Sequence, residues 1–303
     1  MRIFITGGTG FIGEKLTNYL LNLGHHVTSI GRSSQSRIKH EKFQYISADT
    51  SQKGDWQEAL KDTDIAINLA GANIFKRWDD NYKKLIYESR IFTTQNLIEG
   101  LEDNKSVSLL SASAAGYYGN RKDDILSEAD PPGKDFLATV CMDWEKEAYK
   151  AEDKNIRVAT MRFGVVMGES GGALSVMSPL YKWFLGGPLG WTGKQWFPWI
   201  HVNDLISAIN FLINKRDCKG PFNFVSPIPI RQKNFSKALG HVLERPSLLP
   251  SPPFIVKLIM GELGSLLLNS QKIIPDKLIK NGFIFKYLEI APALEQIFKG
   301  VQA

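Results

Sequence analysis

The sequence has few cysteines and no pattern of metal-binding residues. Only Cys141 and Cys218 occur among its 303 residues, and they lie far apart in the chain. Such usage excludes a disulfide-rich secreted scaffold and, with no secretory leader before the first strand, predicts a reducing, cytoplasmic location. The five histidines lack metal-ligand spacing, so no metal site is predicted.

Long apolar runs are also absent. The most apolar late segment, residues 254–268, includes Lys257 and Glu262 and is too short and too interrupted to cross a bilayer. We expect it to form a packed helix, and we predict no membrane partner. The formal charge is +6, but basic and acidic residues alternate, as in residues 76–90, which favours a solvated surface over nucleic-acid binding.

Strand-like and helix-like segments alternate along the chain, as in a parallel sheet covered on both faces. Strands are predicted over residues 2–5, 27–30, 43–46, 65–69, 107–111, 158–162 and 222–224, and helices over residues 14–23, 81–101, 136–151 and 200–212. Residues 164–198 are rich in Gly, Pro and aromatic residues with little periodicity, which is typical of binding loops. From residue 230 onward, short helices and Pro-containing breaks are expected.

A glycine-rich turn, Thr6-Gly-Gly-Thr-Gly-Phe-Ile-Gly13, follows the first predicted strand. Gly7 and Gly10 allow the backbone to turn tightly and approach a pyrophosphate, and Gly13 allows the next helix to lie close to the sheet. A plain tight turn is the alternative. Because strand, turn and helix occur in the order that a dinucleotide site requires, we predict such a site.

The end of the second predicted strand indicates which nicotinamide cofactor binds. An acidic residue there accepts the ribose hydroxyls of NAD, whereas an arginine accommodates the 2′-phosphate of NADP. This chain has Gly31 at the acidic position, followed by Arg32, whose planar fork of donors suits a phosphate. We therefore predict NADP, with NAD less favoured, the alternative being that Arg32 is an ordinary loop arginine.

Further cofactor contacts are expected where the third and fourth strands end. Asp49 is a candidate acceptor for the adenine amino group, and the backbone of Asn68-Leu-Ala-Gly71 is expected to pass the cofactor. Both segments also fit ordinary turns. The predicted cofactor-binding residues are Gly7, Thr9, Gly10, Phe11, Ile12, Gly13, Arg32, Asp49, Leu69, Ala70 and Gly71.

These observations predict an α/β fold, a Rossmann doubly wound parallel sheet with a smaller, mostly helical C-terminal lobe. The NAD(P)-binding Rossmann domain is expected over residues 1–165, completed by about 199–225. Residues 166–198 and 226–303 are expected to form the smaller lobe on the substrate side.

Five motifs resemble those of the extended short-chain dehydrogenase/reductase superfamily, which includes sugar-nucleotide epimerases. They are Thr6-Gly-Gly-Thr-Gly-Phe-Ile-Gly13, Asn68-Leu-Ala-Gly71, Ser111-Ala-Ser-Ala-Ala-Gly-Tyr-Tyr-Gly119, Arg162-Phe-Gly-Val-Val-Met-Gly168 and Ile200-His-Val-Asn-Asp204. More narrowly, the chain is similar to the atypical subfamily labelled epimerase-family protein, whose C-terminal segment of unknown function resembles residues 250–298. The resemblance spans nearly the whole chain, and the subfamily has no settled substrate.

The resemblance also assigns catalytic positions, two of which carry unusual residues. Active members use a Ser or Thr, a Tyr that acts as general acid or base, and a Lys that holds the nicotinamide ribose. Ser113 matches the serine, whereas Leu137 falls at the tyrosine position and Cys141 at the lysine position. Leucine cannot titrate, and a neutral thiol supplies no positive charge. We expect Cys141 to be an uncharged wall of the pocket rather than a reactive thiol.

Two adjacent tyrosines are candidates for the missing proton donor. Tyr117 and Tyr118 follow Ser113 at the end of the fifth strand and are expected at the mouth of the site. We predict Ser113 and Tyr118 as catalytic residues, the alternative being that the tyrosines pack against the cofactor loop. Lys134 and Lys146 are further candidates, although Lys146 is expected to face solvent.

Two segments are candidates for reading a substrate. In residues 73–78, Arg77 is expected either to pair with a carboxylate or phosphate of the substrate or to cap the charges of the next helix, and Trp78 offers an aromatic face. Residues 186–199 form an aromatic loop with glycine hinges, including Trp191, which either closes over a ligand or joins the two lobes.

By resemblance, His201, Asn203 and Asp204 lie at the junction of the lobes and organise it. The sequence thus predicts an NADP-dependent oxidoreductase or epimerase-like enzyme that acts on a small polar carbonyl or hydroxyl compound, in a monomer or homodimer. The alternative is a protein that binds NADP(H) without turnover and serves in redox sensing or regulation.

Overall fold

The computed structural model describes residues 1–103, 106–169 and 171–300, without the side chains of residues 259 and 260. Its strands are β1 (Arg2–Thr6), β2 (His26–Gly31), β3 (Phe43–Ser47), β4 (Ile65–Asn68), β5 (Ser108–Ala114), β6 (Ile125–Leu126), β7 (Arg157–Phe163), β8 (Val165–Met167), β9 (Trp196–Phe197), β10 (Trp199–His201), β11 (Gly220–Phe224), β12 (Ile230–Arg231) and β13 (Lys272–Ile273). Its helices are α1 (Phe11–Asn22), α2 (Asp80–Gly100), α3 (Phe136–Tyr149), α4 (Gly172–Lys182), α5 (Val202–Asn214), α6 (Gln232–Val242), α7 (Pro253–Met260), α8 (Glu262–Leu266), α9 (Asp276–Lys280) and α10 (Ile290–Lys299). Short 3-10 turns cover Asp55–Leu60, Ala115–Tyr118 and Lys150–Lys154.

In the part of the chain described, seven strands form one sheet in the order β3-β2-β1-β4-β5-β7-β11. Each neighbouring pair in this sheet is parallel. The strand order reverses between β1 and β4, as in a doubly wound Rossmann sheet, and the ends of these two strands border the crevice where such folds bind ligands. The predicted fold class is confirmed.

The two faces of the sheet bury separate apolar clusters, because successive strand residues point to opposite sides. On one face, Ile3 and Ile5 pack with Leu16 of α1 and Leu205 of α5. On the other, Phe4 belongs to a cluster that also contains residues of α2 and α3. Strand β1 is therefore buried on both faces, which explains its nearly continuous apolar sequence.

Helices α4, α6 and α10 contribute to a third apolar cluster. It joins Leu174 and Tyr181 of α4, Phe235 of α6 and Leu294 of α10. Two-stranded pairings connect this region, β8 with β10 and β9 with β12. The predicted boundary of the lobes near residue 165 stays a prediction.

Two predictions about the loops and the late chain were wrong. The stretch predicted as irregular, residues 164–198, contains α4, whose pattern is obscured in the sequence by Gly172 at its start and Pro179 inside it. The single packed helix expected over residues 254–268 is two helices, separated at Gly261 with φ of +62°. Phe254 and Leu258 are 64% and 73% exposed there. None of the helices described is long and apolar enough to span a membrane.

A late segment of the chain holds the turn that follows β5. The side-chain amide of Gln271 donates to the carbonyl oxygens of Ala115 and Gly119, each at 3.0 Å. The neighbouring strand β13 pairs in parallel with β6. The C-terminal region therefore stabilises the backbone directly beyond the crevice.

Candidate functional site: a dinucleotide cradle

The glycine turn after β1 brings three backbone segments into close contact. Gly7 has φ of +70°, and a Cβ added to it would lie 3.0 Å from the backbone nitrogen of Ala70. A Cβ at Gly13 would lie 2.2 Å from the carbonyl oxygen of Gly7. Glycine is therefore required at positions 7 and 13 for the turn to lie between β4 and the start of α1.

Helix α1 begins directly after this turn and presents its N-terminus at the crevice. Its N-cap residue, Gly10, provides no side-chain hydrogen bond to the first amides, which belong to Phe11, Ile12 and Gly13. An N-terminus without a side-chain cap, at the positive end of the helix dipole, fits a pyrophosphate. The helix begins at Phe11, three residues earlier than predicted, because the extended backbone of Gly10 already serves as the cap.

The side chain of Phe11 anchors the helix rather than the ligand. Its ring atoms would lie 2.4 Å from a Cβ at Gly171 and 2.8 Å from one at Gly168. Phe11 thus packs against the glycines that precede α4, and its backbone amide is among the first amides of α1.

The turn after β4 is fixed by a buried threonine. Thr6 Oγ1 accepts from the backbone nitrogens of Leu69 and Ala70 at 3.1 and 3.2 Å and donates to Asn68 Oδ1 at 2.7 Å. Asn68 in turn donates to Thr94 Oγ1 at 2.8 Å. These bonds hold the predicted contact residues Leu69 and Ala70 beside the glycine turn.

The end of β2 lies on the other side of β1 and has the features predicted for a 2′-phosphate site. A Cβ at Gly31 would lie 2.8 Å from Thr9 Oγ1 and 3.3 Å from the hydroxyl of Tyr45. An acidic side chain at position 31 would therefore have to displace the side-chain ends of Thr9 and Tyr45. Arg32 is exposed next to it, and Tyr45 donates to the carbonyl oxygen of Ser33 at 2.8 Å, which orders the loop.

Asp49 is exposed beyond β3, and one of its carboxylate oxygens accepts hydrogen bonds within a local turn. Asp49 Oδ1 accepts from the backbone nitrogen and the hydroxyl of Ser51 at 3.0 and 2.7 Å. The ordinary turn that the sequence left as an alternative is present, and an adenine contact by Asp49 stays a prediction.

Ser113 lies at the end of β5, and its predicted catalytic role stays a prediction. It is buried, and its hydroxyl donates to Glu145 Oε1 at 2.7 Å. Glu145 also accepts from Arg162, the direct neighbour of Ser113 in the sheet register. Glu145, the partner of Ser113 on α3, lies 32 residues away in the sequence, so local patterns do not reveal this contact.

Tyr118 is likewise not at the mouth of the site, so the expectation for its position was wrong. Its side chain is fully buried, and its hydroxyl lies 2.7 Å from Asn223 Oδ1 and accepts from Arg162 at 2.9 Å. Burial is the main cause that raises the pKa of its phenol. Tyr118 packs edge-on against Tyr117, whose ring lies 3.4 Å from Arg162 Cζ.

Tyr117 is only partly buried and is the more accessible phenol of the pair. Burial raises the pKa of Tyr117, although the charge of Arg162 opposes this effect. Its phenol is therefore protonated at neutral pH and is able to donate a proton.

Leu137 and Cys141, at the positions that the resemblance assigns to the catalytic Tyr and Lys, lie close together. Neither side chain titrates near neutral pH. A Cβ at Gly116 would lie 3.2 Å from Leu137 Cβ and 3.9 Å from Cys141 Sγ. Cys141 is buried, and desolvation raises its pKa to about 12. The thiol is thus neutral near pH 7, and its place in the wall of a pocket stays a prediction.

The predicted substrate residues are only partly available for contact. Arg77 is exposed, but Trp78 is buried, donates to the carbonyl oxygen of Ile74 at 2.9 Å and packs edge-on against Phe136. The indole of Trp78 thus belongs to an apolar cluster, which corrects the expectation of an open aromatic face. Trp191 is exposed on the glycine-containing loop.

His201, Asn203 and Asp204 join α5 to the C-terminal segment. His201 Nδ1 accepts from the backbone nitrogen of Asn203 at 3.1 Å, and its ring stacks on Tyr287 with 3.8 Å between centroids. The carboxylate of Asp204 accepts from the backbone nitrogens of Lys286 and Tyr287, both at 2.9 Å. These contacts are structural, as expected from the resemblance.

Sequence reasoning missed a basic residue at the crevice, Arg90 of α2, whose guanidinium lies beside Gly71. Ile86, Arg90 and Thr94 are spaced four residues apart, which places Arg90 on the buried face of α2. This spacing is the sequence feature from which the position of Arg90 was predictable. Lys134 and Lys146 are both exposed. No group of three or more metal-holding side chains occurs in the described ranges.

Comparison with known sequences gives a match along most of the chain. The profile of the NAD dependent epimerase/dehydratase family matches residues 3–224, and a domain of unknown function, DUF1731, matches residues 251–297. An epimerase family protein of Staphylococcus haemolyticus is 39% identical and covers 98% of this chain and 98% of its own length. The chloroplastic epimerase family protein SDR39U1 homologue of Arabidopsis thaliana is 38% identical over 99% of this chain and 87% of its own.

A solved structure has the same fold. The crystal structure of human epimerase family protein SDR39U1 (isoform 2) with NADPH superimposes with a TM-score of 0.87 at 30% identity. The superposition covers 99% of this chain and all of the human one, 100%. The fold of this chain is thus shared, along nearly its whole length, with a protein whose crystal structure contains NADPH.

Proposed function

The chain belongs to the NAD dependent epimerase/dehydratase family, and we propose that it is an NADP-dependent oxidoreductase or epimerase-like enzyme for a small polar carbonyl or hydroxyl compound. The observation that carries the cofactor assignment is the pair Gly31 and Arg32 at the end of β2. Position 31 lacks the carboxylate that selects NAD, a larger side chain there would have to displace Thr9 and Tyr45, and Arg32 offers an exposed guanidinium. The NADP prediction agrees with the NADPH in the crystal structure of the human relative.

The cradle assigns separate tasks to this chain's residues. The N-terminal amides of α1 bind the pyrophosphate, and the Thr6-anchored turn holds Leu69 and Ala70 against the cofactor. A bound nicotinamide supplies or accepts the hydride in this chemistry. We propose Tyr117, rather than the buried Tyr118, as the proton donor to the substrate oxygen, because Tyr117 is partly accessible and protonated.

The cofactor assignment is tested by titrating the protein with NADPH and NADH and following tryptophan fluorescence. We expect NADPH to bind more tightly, and Arg32→Gln to weaken NADPH by about tenfold to a hundredfold while NADH changes little. Arg2→Gln is the matched control, since Arg2 is exposed, pairs with Asp62 and lies at the opposite end of the sheet. Equal affinity of wild-type protein for both cofactors would contradict the assignment.

A second candidate is a protein that binds NADP(H) without turnover and acts in redox sensing. Leu137 and the neutral Cys141 favour it, together with the engagement of the Ser113 hydroxyl by Glu145. The two candidates differ in NADPH oxidation across a panel of aldehydes, ketones and keto sugars. For an enzyme, Tyr117→Phe should lower turnover at unchanged NADPH affinity; for a sensor, no compound is reduced.

We also propose a reducing cytoplasmic environment and a monomer or homodimer, without nucleic-acid or membrane partners. The two buried cysteines support the reducing environment. The mixed surface charges support the proposed lack of a nucleic-acid partner. Sedimentation of the full chain measures the oligomeric state.

A further inference from the structure

Arg90 of α2 places a positive charge at the crevice. A Cβ on Gly71 would lie 3.0 Å from the guanidinium carbon and 3.2 Å from Nη2. Nη1 donates to the carbonyl oxygen of Ile86 at 2.9 Å, and Nη2 donates to that of Ala72 at 3.2 Å. The guanidinium is thus fixed against the turn that continues the predicted contact residues after β4.

Helix α3 holds the same guanidinium from the opposite side. The centroid of the Trp144 ring lies 5.2 Å from Arg90 Cζ, and Trp144 donates to Thr94 Oγ1 at 3.0 Å. Thr94 in turn donates to the backbone oxygen of Arg90 at 2.7 Å. Stacking on an indole and bonding to two carbonyls leave Nε and part of each terminal nitrogen for a ligand.

The charge of Arg90 has no carboxylate partner within the ranges described, in contrast to Arg162, which pairs with Glu145. Burial lowers the pKa of Arg90, but a guanidinium remains protonated at neutral pH. A desolvated cation without a counter-charge is unfavourable unless it gains polar or anionic partners. A ligand rich in hydroxyl and phosphate oxygens provides such partners.

The sheet order indicates which part of a dinucleotide reaches Arg90. The pyrophosphate position lies after β1, Arg32 follows β2 on one side, and Gly71 follows β4 on the other. An adenosine half directed toward Arg32 leaves the nicotinamide half directed toward Gly71 and Arg90. Cys141, which occupies the position of the missing lysine, lies one turn before Trp144 on α3.

We propose that Arg90 binds the nicotinamide-ribose half of NADP(H) and supplies the fixed positive charge that Cys141 does not. This inference rests on the proposed function of the cradle. A guanidinium does not exchange its proton at neutral pH, so Arg90 orients the cofactor and is not an acid or base.

The test compares NADPH with 2′,5′-ADP, which contains the adenosine 2′-phosphate but lacks the nicotinamide ribose. Both are titrated against wild-type protein, Arg90→Gln, Arg90→Lys and Arg32→Gln. We expect Arg90→Gln to weaken NADPH by about tenfold or more and to leave 2′,5′-ADP within about twofold, whereas Arg32→Gln weakens both. Arg90→Lys keeps the positive charge but loses the planar guanidinium. We expect it to weaken NADPH less than Arg90→Gln does and also to affect NADPH more than 2′,5′-ADP.

Thermal unfolding of each variant separates a binding effect from a folding defect. A loss of NADPH and 2′,5′-ADP in equal measure by both Arg90 variants would overturn the inference, as would unchanged NADPH affinity. If wild-type protein binds 2′,5′-ADP and NADPH and the Arg90 variants bind both as tightly, the cofactor assignment stands and the role of Arg90 alone is wrong. Wild-type protein that binds neither ligand would overturn the proposed function itself.

Discussion

Arg162 of β7 and Glu145 of α3 form a two-point ion pair, with Nε to Oε1 at 2.7 Å and Nη2 to Oε2 at 2.8 Å. Their side chains are 3% and 5% exposed. Ser113 donates to Glu145 and Tyr118 accepts from Arg162, so both residues that the sequence nominated for catalysis take part in the hydrogen bonding of this pair. The pair thereby fixes α3 against β5 and β7.

Removing one charge of this pair should strongly destabilise the fold. Glu145→Gln leaves the Arg162 guanidinium buried without its counter-charge, and we expect the free energy of unfolding to fall by about 3 to 5 kcal/mol. Urea denaturation measures the change. The double variant Glu145→Leu with Arg162→Met should recover part of the loss, because no buried charge remains; a loss below about 1 kcal/mol in the single variant would contradict the prediction.

Two glycines of the cradle should respond differently to substitution. A Cβ at Gly13 meets the Gly7 oxygen at 2.2 Å and the Gly8 Cα at 2.7 Å, so Gly13→Ala should lower both thermal stability and NADPH affinity. The nearest atom to a Cβ at Gly10 is the Gly7 oxygen at 3.2 Å. Gly10→Val should therefore fold with a loss of about 1 kcal/mol or less and still fail to bind NADPH, because the side chain occupies the phosphate approach. Normal NADPH affinity in Gly10→Val would refute the phosphate assignment.

Both cysteines should resist alkylation in the folded protein. Cys141 and Cys218 are buried, and desolvation raises the pKa of each thiol, to about 12 for Cys141. At about pH 8 we expect iodoacetamide to label neither thiol until denaturant is added, as measured by mass spectrometry. Asn22→Cys, at the exposed end of α1, is the positive control, and rapid labelling of native Cys141 would show that the thiol is reactive.

Stability should decrease as the pH falls below the ordinary pKa of histidine. Burial lowers the pKa of His201 from 6.5 to about 4. Between these values the unfolded chain binds the proton and the folded chain does not, so the free energy of unfolding falls by up to about 3 kcal/mol as the pH drops. His201→Asn keeps a side-chain acceptor for the cap of α5 and should have a shallower pH slope in urea denaturation; identical slopes would argue against this role.

Local patterns were sufficient to predict the sheet and the cradle. The apolar strands and the glycines at 7, 10 and 13 are read from short stretches of sequence, because strand, turn and helix N-terminus are formed by neighbouring residues. The Gly31 and Arg32 site follows one strand for the same reason. Contacts that join distant segments were not predictable in this way.

The catalytic candidates illustrate this limit. The prediction that Ser113 lies at a strand end was correct, but its hydrogen bond to Glu145 depends on the packing of α3. Tyr118 bonds to Asn223, which lies 105 residues later in the chain. Arg90 was overlooked because a single arginine in a long helix resembles a surface residue until the packing of α2 against α3 is known. Helix α4 was hidden by its glycine and proline, which local propensity assigns to loops.

The bonds from Gln271 to Ala115 and Gly119 couple the completion of the crevice to the order of biosynthesis. Synthesis releases the N-terminal region first, and β1 to β5 are complete well before residue 271 leaves the ribosome. A nascent chain that ends before residue 220 lacks the sheet-edge strand β11 as well as the amide that secures the turn after β5. The residues of the nucleotide cradle therefore leave the ribosome before Gln271, and the turn after β5 gains these two hydrogen bonds only once the chain extends past that residue.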